Sequence, residues 1–225
     1  MRGNRMLLVV MAALPVIALA ASPPADIVDY FKMYYGQQVA KSGNAEPLEF
    51  LRDAAGNHAS AGQVLKPGAS RSVIVDRRNG YLQIADGSNT DQVLTMAIYS
   101  KADGERLIVA GTSDCADACD FTVGFFVPDD SGLKAVPSRP VIPAISPAEF
   151  IRAAHPMPKA LIGLEPKINY VPARVGTALT LKPWYGYEVE EVMDAATRGA
   201  IQNVELRWDR RKGEFVISKT APAPR

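Results

Sequence analysis

Short runs of strand-forming residues, broken at short intervals by turn residues, govern most of this chain. Runs at 73–76, 81–85, 93–100, 105–111, 121–127 and 133–136 read as strands, separated by segments such as Asn79-Gly80, Asp103-Gly104 and Asp129-Asp130-Ser131-Gly132. Strands this closely spaced pair as antiparallel neighbours, because a parallel crossover needs a dozen or more residues. The middle of the chain is therefore predicted to be a meander of about six strands. Within Arg77-Arg78-Asn79-Gly80, the Asn-Gly pair offers the positive φ angles of a two-residue type I′ hairpin turn. A second strand-rich region follows at 177–182, 187–192, 201–208 and 214–219. There Val204, Leu206 and Trp208 point one way and Glu205 and Arg207 the other, as in a half-buried antiparallel strand.

The spacing changes to that of helices in three places. Ser22 and Pro23 suit a helix start, Ile27, Tyr30, Phe31, Tyr34 and Tyr35 recur at helical intervals, and Gly36 is expected to stop the helix. A second helix is expected over 47–55. A third, short one is expected from Ser146-Pro147-Ala148-Glu149, an N-cap, first-turn proline and capping-box glutamate, with Phe150, Ile151 and Ala154 on its buried face. The fold class is α+β, with N-terminal helices and one mid-chain helix packed on predominantly antiparallel meander sheets. Residues 46–55 align with 146–155 at an offset of one hundred, both containing P-x-E-F-[LI]-R. They offer a duplicated helix-plus-sheet unit as one reading, against the plain alternative that amphipathic helices often begin this way.

Arg2 and Arg5 precede an apolar run that breaks at Pro15 and ends Ala18-Leu19-Ala20, the pattern of a signal peptide cleaved after residue 20. A membrane anchor would want about 20 continuous apolar residues, which this run does not supply. The expected organisation is a leader at 1–20, helices plus the six-stranded meander at 21–137, and a short helix plus about four strands at 138–225, packed on the first part. The expected location is the periplasm or the exterior, with no stable membrane anchor after cleavage.

Export gives meaning to Cys115 and Cys119, the chain's two cysteines. In an oxidising compartment they are expected to form a disulfide that pins a local turn. The spacing is not C-x-x-C, no basic residue stands beside either sulfur, and zinc would need His58 and His155 to converge on them. No metal site or cofactor is expected. Charge is balanced at 25 basic against 24 acidic residues, which offers no electrostatic footprint for nucleic acid. No common nucleophile, zinc-hydrolase or nucleotide-binding signature occurs. His155 reads as a capping feature near a helix C-terminus rather than as a catalytic base. Asp114, Asp117, Asp120, Asp129 and Asp130 lie on two turns that bracket one strand and read as solvated turns rather than a calcium loop. No catalytic residue is nominated.

Lys182-Pro183-Trp184-Tyr185-Gly186-Tyr187 places three aromatics in or beside a predicted hairpin turn, where burial is hardest. Trp184, Tyr185 and Tyr187 are the candidate binding surface, against the alternative that they fold over a sheet edge. Three segments, Asp26-Ile27-Val28-Asp29-Tyr30-Phe31, the cysteine loop opening onto Phe121-Thr122-Val123-Gly124-Phe125-Phe126, and Glu205-Leu206-Arg207-Trp208 through Gly213-Glu214-Phe215, give the chain a resemblance to a family of exported bacterial proteins of unknown function. That resemblance implies an exported α+β protein and carries no catalytic residue across. The expected function is a non-enzymatic exported protein that binds a protein, peptide or envelope component. The alternative is an envelope hydrolase using Asp or Glu as acid and base.

Overall fold

The computed structural model describes residues 25–42, 64–65, 71–86, 92–115 and 118–218. The expected leader, the expected helix over 47–55 and His58 lie outside these residues.

Two antiparallel meander sheets make up most of the fold. The first has seven strands in sequence order: β1 (Val64–Leu65), β2 (Arg71–Asp76), β3 (Tyr81–Asp86), β4 (Val93–Ser100), β5 (Arg106–Asp114), β6 (Asp120–Asp129) and β7 (Gly132–Val136). Six of these answer to the predicted runs; β1 is a two-residue pairing on the outer side of β2. The second sheet has the order β11-β10-β9-β8, formed by β8 (Lys167–Pro172), β9 (Ala178–Trp184), β10 (Val204–Asp209) and β11 (Glu214–Ile217).

Alternation along the strands gives the first sheet two apolar faces, each with its own partner. On β4 and β5, Met96, Ile108 and Ala110 join a buried cluster with Ile27, Val28 and Phe31 of helix α1 (Ile27–Ser42). Their neighbours Ala97, Tyr99, Leu107 and Val109 point the other way, into a cluster with Leu179, Leu181, Val204, Leu206, Trp208 and Phe215 of the second sheet. A period-two strand buried on both sides explains the unbroken apolar runs at 96–99 and 107–110. At the centre of the inter-sheet layer the rings of Tyr99, Trp208 and Phe215 meet at 4.8–5.7 Å between centroids. The polar ends of this cluster are satisfied across the layer. Tyr99 donates its hydroxyl to the Ala178 carbonyl at 3.1 Å, and the Trp208 indole donates to the Ser100 carbonyl at 2.9 Å.

Several local expectations are corrected. Helix α1 begins later than Pro23 and runs past Gly36. Asp26 caps it, its Oδ1 accepting from the backbone N–H groups of Val28 and Asp29, while Asp29 accepts in return from the Asp26 N–H. Gly36 lacks the positive φ of a helix stop, so it lowers helix propensity without ending the helix. The β2–β3 connection is a four-residue loop, with Asp76 paired to Tyr81 and its one glycine, Gly80, at positive φ (63°), rather than a two-residue turn. The mid-chain helix is a single 3-10 turn (Pro147–Phe150), and Ser146 caps it without a side-chain hydrogen bond. Phe150 and Ile151 are buried as expected, but Ala154 is exposed. His155 therefore lies in an exposed bend, not at a helix end.

The largest correction concerns 187–192, which forms helix α2 (Tyr187–Val192) instead of a strand. Val189 and Met193 stand one helical turn apart, joined by the Met193 N–H donating to the Val189 carbonyl at 3.0 Å, and both enter a small cluster with Ile151, Leu161 and Tyr185. Arg198 completes the turn by donating to the carbonyls of Glu190 and Met193. Helix α3 (Ala195–Ala200) follows, capped by Asp194, which accepts from the Thr197 N–H at 2.7 Å. The fourth strand of the second sheet is β8, which lies outside every predicted run.

A buried carboxylate anchors an ion pair between the sheets. Asp76, at the end of β2 and only 2 % exposed, accepts from Asn79 through both its backbone and side chain and from Arg174 Nε at 3.1 Å. Burial pushes the Asp76 carboxyl up, but the hydrogen bonds from Asn79 and Arg174 outweigh it and hold the pKa below its ordinary value. The pair's contribution is therefore present above the unfolded carboxyl pKa, about 3.9, and is lost as pH falls through the lower folded value. Asp76→Asn is expected to lower stability by about 1–3 kcal/mol near neutral pH, with the gap closing toward pH ~2. Urea unfolding at both pH values checks this; a gap that stays constant between them would contradict the ion-pair account.

Candidate functional site

The disulfide and the aromatic segment, far apart in sequence, meet at one rim of the molecule. Cys115 and Cys119 are joined, closing the loop between β5 and β6 just beyond the last ladder pair, Asp114 with Asp120. Trp184 ends β9, where its register partner on β8 is Lys167. The Lys167 ammonium reaches across the rim. It lies 5.6 Å from the Trp184 ring centroid, donates to the Cys119 carbonyl at 2.9 Å and pairs with Asp120 at 2.7 Å. Two charge-assisted bonds thus tie the end of the second sheet to the cysteine loop, and cation–π attraction holds the ammonium over Trp184.

Tyr187 makes the second tie. Its hydroxyl donates to the Cys115 carbonyl at 3.0 Å, and its ring meets Trp184 edge-on at 5.4 Å. Phe121, the first apolar residue after the loop, meets Trp184 edge-on from the other sheet at 6.1 Å. Gly186 permits the arrangement, since its φ of 99° turns the chain from β9 into α2. Tyr187 remains 50 % exposed and Trp184 half-buried.

Of the three aromatics singled out in the sequence, the fold brings Trp184 and Tyr187 together on the disulfide loop and turns Tyr185 away. Tyr185 packs against the cluster of Ile151, Leu161 and Met193, and burial, with the nearby Glu190 charge, pushes its hydroxyl pKa up. Phe121 and Lys167 are members that sequence reasoning missed. Phe121 was legible only as a strand residue, and Lys167 could be placed only by recognising β8, the strand that pairs it with Trp184.

A shallow cavity of about 330 Å³ opens beside this rim, walled by Phe121, Pro183 and Trp184 and reached by Ser113, Asn169 and Lys182. The aspartates divide as their turns suggest: Asp114 and Asp120 at one end of β6, Asp129 and Asp130 at the other. Asp117 lies outside the described residues. Asp114 accepts from the Gln92 carboxamide at 2.9 Å. Among the described residues no three His, Cys, Asp or Glu side chains gather as metal ligands.

These features define a mixed α+β protein of two antiparallel meander sheets with an aromatic rim clasped by a disulfide. No protein-family model matches the chain, and neither does any curated protein. The fold is similar to that of a solved domain of an uncharacterized protein from Porphyromonas gingivalis W83, with a TM-score of 0.61, 12% identity, and coverage of 87% of this chain and 100% of that one. At that identity the likeness concerns the fold alone.

Proposed function

We propose that this chain is an exported, periplasmic or secreted binding protein, acting without catalysis, whose ligand surface is the Trp184–Tyr187 rim. Its partner is a protein, peptide or envelope component. The observation that carries this reading is the bracing of two partly exposed aromatics by a disulfide loop, a salt bridge and a cation–π contact. Rigid aromatics give up little conformational freedom on binding, which is why such side chains dominate binding surfaces. Export is supported by the N-terminal charged and apolar pattern ending in Ala18-Leu19-Ala20 and by the cysteine pairing.

Trp184→Ala tests the surface. Because Trp184 also touches Phe121, Tyr187 and Lys167, the variant is expected to lose about 1–2 kcal/mol of stability and stay folded. Capture of envelope material on immobilised protein, scaled to the folded fraction, is expected to fall at least about tenfold, equivalent to about 1.4 kcal/mol. Full capture by a folded Trp184→Ala protein would end this reading.

A further inference from the structure

The cavity at the rim contains polar groups that the fold itself leaves unused. Asn169 and Lys182 are direct cross-strand partners on β8 and β9, which sets their side chains next to one another on one face. Ser113 reaches the same cavity from β5. Among the described residues, none of these three side chains makes a hydrogen bond or ion pair with the rest of the protein. The neighbouring charges are already engaged: Lys167 with Asp120 and the Cys119 carbonyl, Asp114 with Gln92. The uncommitted charge in the cavity is therefore the Lys182 cation.

An occupant must match this set: a flat apolar face for Trp184 and Phe121, hydroxyl groups at its edge for Asn169 and Ser113, and an anion for Lys182. At about 330 Å³ the cavity is at the small end of small-molecule sites, roughly 300–1,000 Å³. We propose that it binds an acidic saccharide, a sugar ring bearing a carboxylate, with the ring's C–H face on the aromatic wall and the carboxylate at Lys182. This rests on the reading of Trp184 as a ligand surface. A peptide carboxyl terminus would also satisfy Lys182. It would not use a hydroxyl and a carboxamide disposed around an aromatic wall as fully as a polyhydroxylated ring does.

Titration of the ¹⁵N-labelled protein with trigalacturonate, with neutral maltotriose and with acetyl-trialanine tests the proposal, read at the Trp184 indole N–H and the Asn169 carboxamide. Trigalacturonate is expected to shift both resonances saturably, and maltotriose to bind at least about tenfold more weakly. Lys182→Gln is expected to weaken trigalacturonate by at least about tenfold at an unchanged melting temperature, the loss of one charge-assisted contact. Equal binding of the neutral sugar, or full trigalacturonate affinity in Lys182→Gln, would overturn the acidic class. Saturation by the peptide alone would overturn it too while leaving the aromatic surface standing. No response to any of the three ligands also overturns it; the surface itself falls separately, through full capture by Trp184→Ala.

Discussion

Trp208→Ala is expected to lower the unfolding free energy by about 3–5 kcal/mol, the range for removing a large aromatic from a core. The residue is 4 % exposed and packs on both Tyr99 and Phe215, so truncation opens a cavity in the layer that both sheets share. It also leaves the Ser100 carbonyl without its indole donor, although Arg210 Nε still approaches that oxygen at 3.3 Å. Trp208→Phe separates the two losses, because it keeps a ring and deletes the donor; a cost of about 1 kcal/mol is expected for it. Denaturant unfolding of both variants gives the answer. A loss below about 1 kcal/mol for Trp208→Ala would mean that the sheets are held together elsewhere.

Gly111→Ala is the second large effect, expected to destabilise by about 1–3 kcal/mol through overpacking. A Cβ on Gly111 would stand 2.8 Å from the Tyr170 carbonyl oxygen, where β5 of one sheet crosses β8 of the other. Because the obstacle is backbone, neither strand can yield without separating the sheets. Gly36→Ala supplies the contrast. Nothing lies within 4 Å of its added methyl, and the helical backbone gains up to about 1 kcal/mol from alanine. Opposite signs for the two substitutions in thermal unfolding are the expected result; a neutral Gly111→Ala would show that the close approach is not fixed.

The contrast between these glycines also shows what sequence could and could not convey. Short apolar runs bounded by turn residues, as at Met96 to Tyr99, and alternation, as at Phe121, Val123, Phe125 and Val127, mark strands wherever they lie, so the meander was legible. Nothing in the alternation says which face meets a helix and which a second sheet, and so Gly111 gave no sign of its neighbour. The segment 187–192 misled because Tyr187 and Val189 alternate like a strand, while the decisive pairing of Val189 with Met193 depends on Ile151 and Leu161, remote in sequence. Strand β8 escaped because Pro166 precedes it and Pro172 is its last residue, a proline that the end of an edge strand accommodates. For the rim, Trp184, Tyr187 and the cysteines were each visible as residue types. Their convergence rests on Lys167 and on the Tyr187 hydroxyl, both of which act across long sequence separations.

Among the described residues the first sheet ends at β7, whose outer side faces no further strand. There the Gln37 side chain, from the last turns of α1, donates at 2.8 Å to the Leu133 carbonyl. A helix side chain thus occupies a position that a strand from another molecule would otherwise take. An open edge is a template for strand addition, so helix docking and resistance to self-association are one property in this molecule. Loosening α1 is therefore expected to bare the β7 edge as well as to weaken the helix's own packing.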